Sequence, residues 1–258
     1  MKMKQFSFTA GWLLVFCFIS SWSWAADGEA LFMEMAKKLA EADQFAVSMF
    51  MSYDAVQESG EKIEFREQRD IIIRRPDHLR NVALQSDGDK NLLVADGETI
   101  TLYSESENVY CRITHAGTVD EQVRYAGGNL GIRIPLARML LSTLPVELEK
   151  LNFKAQYVEK DILSSPPSDH VFARSDDVDC QLWITKDKLP IRIVLTYKNE
   201  PGQPQFRADF TNWNMTPVIT ETTFSFTPPE GAEKIPALLP EEFLRQEKMK
   251  KEAADDEL

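Results

Sequence analysis

Positive charge, cysteine and histidine are what this chain has least of. It carries 29 basic against 41 acidic residues, a formal net charge of −12, and removing a leader that holds Lys2 and Lys4 but no acid makes the remainder more negative still. Nucleic acids and anionic membranes both demand a basic footprint, so neither is an expected partner. Acidity of this kind serves to keep an exported protein in solution. Of three cysteines, Cys17 falls in the leader, which leaves Cys111 and Cys180. An oxidising compartment would permit these two to pair. Both, however, sit at apolar-face positions of predicted strands, where a free cysteine acts as a small hydrophobe. A meander also sets them several strands apart at about 5 Å per strand, beyond the roughly 7 Å reach of a disulfide between α-carbons. Two free thiols are the expectation.

Chemical motifs are missing too. The chain has no Gly-x-Ser-x-Gly elbow and no His-Glu-x-x-His pair. Gly127-Gly128-Asn129-Leu130-Gly131 lacks the lysine and hydroxyl residue of a phosphate-binding loop and reads as a helix stop. His78, His115 and His170 are scattered singly, and Asp176, Asp177 and Asp179 are not followed by the glycine-centred loop and distal glutamate of a calcium hand. These observations predict no enzyme, no catalytic residue, no metal and no cofactor. A hydrolase ranks behind every binding function.

No strongly apolar run reaches the roughly 20 residues that span a bilayer. The longest, residues 12–19, follows Lys2 and Lys4 and precedes Ser23-Trp24-Ala25, the three parts of a secretory signal peptide. Residues 1–25 are therefore expected to be cleaved after Ala25. Leu14-Val15-Phe16 ahead of Cys17 is too bulky for a lipoprotein site, so a periplasmic protein without stable membrane insertion is predicted. Residues 26–239 form the domain, and residues 240–258 a charged tail, helical or disordered.

What is present is alternation. Val178, Cys180, Leu182 and Ile184 alternate with polar or outward residues, and so do Ile191, Ile193, Leu195 and Tyr197, which predicts a hairpin with one apolar face. Matching apolar to apolar sets Ile184 opposite Ile191, Leu182 opposite Ile193, and Cys180 opposite Leu195. Trp183 then falls opposite Arg192 on the other face. The same period runs through residues 45–53, 63–74, 78–86, 91–95, 99–103 and 109–113, and again through 153–161, 170–174 and 205–213. Eleven strands follow in all, with a short addition possible at 222–226. Helical periodicity predicts a leading helix capped by Asp27 and running to about Ala42. Thr118 with Glu121 is a capping box for a second helix that Gly127-Gly128 would end, and Pro135 opens a third over 136–144.

This order resembles the LolA/LolB lipoprotein-carrier fold, a curved antiparallel half-barrel covered by helices. The words Arg75-Pro76-Asp77, Val178-Asp179-Cys180-Gln181-Leu182-Trp183-Ile184, Leu189-Pro190 and Phe224-Ser225-Phe226-Thr227-Pro228-Pro229-Glu230-Gly231-Ala232 are similar to those of a bacterial family of predicted periplasmic proteins assigned to that fold. The resemblance covers residues 31–235 and departs at Cys180, where that family commonly has an aromatic residue. It implies a mainly β architecture with helices and a periplasmic location, and brings no catalytic residues.

Two functions follow. In the first, a hydrophobic ligand (a lipid, an acyl chain or a lipidated partner) is held between sheet and helices. Phe45, Val47, Met49, Met51, Leu136, Met139, Leu140, Leu182, Ile184, Ile191, Ile193, Phe206 and Phe210 would line the cavity, and residues 118–144 would form its movable cover. In the second, the core is filled and the domain is a sensor or protein-interaction module. A monomer is expected in both.

Overall fold

The computed structural model describes residues 22–237 apart from Arg133 and Asn152. Residues 1–21 of the leader and the charged tail therefore fall outside the described residues, while the expected cleavage site after Ala25 falls within the first described helix. Helix α1, Trp22–Ala40, is followed by the strands β1 (Gln44–Val56), β2 (Lys62–Arg74), β3 (His78–Gln85), β4 (Lys90–Asp96), β5 (Thr99–Ser104) and β6 (Val109–Thr114). Next come α2 (Val119–Gly128), one 3-10 turn (Ala137–Leu140) and α3 (Leu144–Lys150). The strands β7 (Lys154–Asp161), β8 (Ser168–Arg174), β9 (Val178–Thr185), β10 (Pro190–Tyr197), β11 (Gln205–Asn214) and the two-residue β12 (Glu233–Lys234) complete the chain. They form one open sheet in the order β12-β6-β5-β4-β3-β2-β1-β11-β10-β9-β8-β7. The architecture is thus mainly β with helices, its eleven long strands those read from alternation.

The register follows the apolar pattern. Leu182 pairs with Ile193, Cys180 with Leu195 and Trp183 with Arg192, as matching apolar faces demanded. Ile184 pairs with Pro190 instead of Ile191, because the ladder slips by one residue between Pro190 and Arg192. Proline cannot donate to a ladder, and a bulge at the strand's first residue absorbs it.

All helices pack on one face, over a core that includes Phe45, Val47, Met49, Ile71, Ile73, Leu182 and Ile184. α1 lies on β7, β8 and β9. Gly28 lets it sit against the β7 backbone, since a β-carbon there would come within 2.3 Å of the Gln156 carbonyl carbon. α1 starts at Trp22, so Asp27 lies inside the helix and is not its cap. α2 has both halves of the Thr118–Glu121 capping box. The third helix departs most from expectation. Only Ala137–Leu140 turns after Pro135, and a separate helix with Pro145 in its first turn takes residues 144–150.

Arg75 ties the helices to the sheet. Its guanidinium donates to the carbonyls of Leu39 and Ala42 at the end of α1 and to that of Leu140 in the 3-10 turn, at 3.5, 3.2 and 2.9 Å. It also faces Asp120 of α2 at 3.5 Å, and Asp120 accepts both the backbone N–H and the hydroxyl of Ser142. One cation thus satisfies carbonyls that helix ends leave without partners. The next residue continues the knot, as the Pro76 carbonyl accepts the Val119 N–H at 2.7 Å.

After β11 the chain crosses the outer face. Residues 222–226 form a turn and then an irregular segment, not a strand. Phe224 is buried edge-on to His78 with Arg74 over its ring, and Phe226 lies between Tyr103 and Tyr110. The prolines 228 and 229 keep this strap off the ladder, and β12 then runs parallel to β6.

Two stability measurements check these contacts. Arg75→Leu strands the α1 carbonyls and Asp120 in a largely buried site and should cost about 3 kcal/mol in denaturant unfolding, with Arg75→Lys losing less. Gly28→Ala should cost about 1–3 kcal/mol by overpacking, whereas Gly128→Ala, with nothing within 4 Å, should gain about 0.5 kcal/mol of helix preference.

Candidate functional site

The helical layer stops short of one end of the sheet. Along β2 the residues on the covered face run from Ile73 and Ile71, both buried, through Arg69 and Glu67, to Phe65 and Ile63, both exposed. Arg69 and Glu67 stand where the cover ends. Their side chains pair, Nε to Oε1, at 2.5 Å and are about nine-tenths buried.

Clefts open on both sides of this pair. The smaller, about 390 Å3, lies over β2 to β6, with Ala83, Leu93, Leu102 and Cys111 as its apolar floor and Ile132 and Ile235 at its rim. The larger, about 690 Å3, lies between β1, β2, β10 and β11 and is bordered by Tyr53, Tyr197, Phe206 and the segment from Ile134 to Leu136. Glu67, Arg69 and Gln85 belong to both. Such volumes fall within the roughly 300–1,000 Å3 of small-molecule sites. The connection that rims them bends at two left-handed residues, Gly131 (φ 66°) and Leu136 (φ 55°). At Leu136 that conformation costs about 1–2 kcal/mol.

Of the other polar residues that line the smaller cleft, Asn81 is the most buried. Asn81 is 4% exposed, and its side-chain oxygen finds no hydrogen-bond partner among the described residues. In the larger cleft, burial pushes the Asp54 carboxyl up, but hydrogen bonds from Arg207 and the Gln205 N–H outweigh it and hold its pKa below the ordinary value.

The structure distributes the candidate cavity residues unevenly. Phe45, Val47, Met49, Met51, Leu140, Leu182, Ile184, Ile193 and Phe210 are buried in the filled core, with Met139 packed against it. Ile191 is half-buried at the β10 bulge. Leu136 and Phe206 border the larger cleft. Glu67, Arg69 and Asn81 were not among the candidates. Their signal was nonetheless in the sequence, as polar residues on inward positions of strands whose other inward residues are Ile71, Ile73, Leu79 and Ala83.

The remaining polar groups are spread out. His78 bonds to Asp77, His115 stacks on Tyr125, and His170 stacks on Trp183 on the outer face, where burial lowers its pKa. Asp177 and Asp179 are held by Asn199, Lys198 and Arg174. Among the described residues no group of three or more histidines, cysteines or acids is placed to hold a metal. No described helix is long and apolar enough to cross a membrane.

Residues 28–238 match the model of a family described as "Predicted periplasmic protein (DUF2092)". The chain belongs to this periplasmic family. Among solved structures it is similar to an uncharacterized conserved protein from Thermus thermophilus, with 10% identity over 81% of this chain and 99% of that one, at a TM-score of 0.46. LprF from Mycobacterium bovis gives 12% over 80% and 98%, also at 0.46. A LolA superfamily protein from Nitrosomonas europaea gives 8% over 77% and 97%, at 0.34. No curated protein matches.

The DUF2092 words now have physical roles. Arg75-Pro76 is the knot under the helices, and Phe224 to Ala232 is the strap over the outer face. Cys180 stands in β9 opposite Leu195. Cys111 and Cys180 are both free, with eight steps of the sheet order between β6 and β9. Burial pushes the Cys180 thiol up to about 12, so at pH 8 it stays protonated. In a thiol-labelling assay Cys180 should remain unmodified in the folded protein at pH 8 and react fully in denaturant. Cys180 is half-buried against the core, and rapid labelling of the folded protein there would contradict its raised pKa.

Proposed function

We propose that this DUF2092 protein is a periplasmic binding or carrier protein that shelters the apolar part of an amphiphile, or of a lipidated partner, in the divided cleft. The observation that carries this reading is the pair of adjoining clefts of about 390 and 690 Å3, with largely apolar walls, at the end of the sheet that the helices leave open. The segment between α2 and the 3-10 turn is the adjustable part of the wall. Gly131 and Leu136 give it left-handed bends at both ends, and a few half-buried apolar contacts of this sort are worth only a few kcal/mol at about 25 cal/mol per Å2. The residues so far placed act by binding and orientation, and none has the arrangement of a nucleophile with its base.

A second reading, a protein-interaction module, draws on the exposed Tyr53 and Phe65, whose rings stack 5.9 Å apart at the border of the larger cleft. Native mass spectrometry of protein purified gently from its own envelope separates the two. A co-purifying lipid supports the carrier, and an empty protein that brings down a polypeptide supports the module.

A variant tests the site directly. Leu136→Asp puts a charge on the rim of the larger cleft and should weaken uptake of the neutral fluorophore N-phenyl-1-naphthylamine by about tenfold or more. Its thermal midpoint should fall only slightly, because aspartate tolerates left-handed backbone better than leucine. Unchanged uptake would remove the larger cleft from the proposal.

A further inference from the structure

We infer that the smaller cleft selects an uncharged, hydrogen-bonding headgroup, an amide or hydroxyl on an alkyl chain, and discriminates against carboxylates and phosphates of the same chain. The inference rests on the binding reading above and deepens it. Its first ground is charge. Among the described residues, the charged side chains in the wall of the smaller cleft are Glu67 and Arg69, and they are paired with each other at 2.5 Å, so the described wall is formally neutral. An anion entering there meets a cation already engaged by a carboxylate and must leave water for a poorly solvating site, which costs several kcal/mol unless it is paired. The adjoining cleft gives no relief, since Asp54, Glu67 and Glu200 outnumber Arg69 among the described residues of its wall.

The second ground is Asn81. A side-chain amide on a covered strand face normally has its hydrogen bonds made, because an unmet buried polar group costs about 1–3 kcal/mol. At 4% exposure, with its oxygen unpartnered and its side chain in the wall of an apolar-floored cleft, Asn81 offers what a neutral headgroup uses. Its oxygen accepts from an N–H or O–H and its nitrogen donates to a carbonyl, whichever way round the amide is set. Ala83 and Leu93, its neighbours on the floor, then take the first carbons of the chain.

The test is displacement of bound N-phenyl-1-naphthylamine at pH 8 by dodecanamide, dodecan-1-ol and dodecanoate, on the wild type and on Asn81→Leu. The amide and the alcohol should compete about tenfold better than the carboxylate on the wild type, and that difference should shrink to about twofold or less on Asn81→Leu. The thermal midpoint of Asn81→Leu should stay level or rise, since an unmet amide is replaced by an apolar group of similar size; this separates lost recognition from lost folding. Dodecanoate competing as well as the amide on the wild type, or the preference surviving in Asn81→Leu, overturns the inference and leaves the carrier reading in place. A wild type that takes up neither the fluorophore nor any dodecyl compound overturns both.

Discussion

The buried guanidinium of Arg75 is the constraint on which the arrangement depends. Helices lying on a sheet end in carbonyls that must find donors, and here one side chain serves the end of α1, the 3-10 turn and the acid that opens α2. Burial lowers the Arg75 pKa and Asp120 offsets part of that; a guanidinium keeps its charge in proteins, so the knot is electrostatic as well as geometric. Arg75 lies just beyond the last residue of β2, so the helices are fastened at that end of the hairpin. The opposite end of the same long hairpin, with Ile63 and Phe65, carries no cover.

This asymmetry makes Glu67 and Arg69 more than a strand's polar interruption. Two charges in a half-covered apolar face are costly unless each satisfies the other, and a paired arrangement of this kind adds little net stability compared with apolar residues of similar volume. What the pair does provide is a polar divide between two apolar spaces. The clefts share it, with Ile132 bordering the smaller and Ile134 to Leu136 the larger.

The outer face solves a different problem. A long open sheet exposes a face and two edges, and an uncovered edge is a template for pairing with other chains. The strap from Phe224 onward packs aromatic rings against His78, Tyr103 and Tyr110, and β12 caps part of the β6 edge. At the far side β7 is crossed by α1, close enough that Gly28 is required. On the outer face of β8 to β11 a cross-strand row of His170, Trp183, Arg192 and Asp209 holds itself by stacking and an ion pair.

The sequence by itself determined the strands, because alternation with period two needs no distant information. It determined the β9–β10 register except at Pro190, the capping box at Thr118, and the family, through words such as Arg75-Pro76-Asp77. It did not determine which inward residues would be sealed. Phe45, Met49 and Leu136 read alike as apolar, yet the first two are core and the third is a rim, since that difference depends on where the helices end. Nor does Arg75 announce in one dimension that its donors reach α1 and the 3-10 turn, residues 36 and 65 positions away. Alternation records which face a side chain takes, a property of neighbours in sequence. Whether that face is covered depends on contacts between distant segments, and only the tertiary structure brings those together.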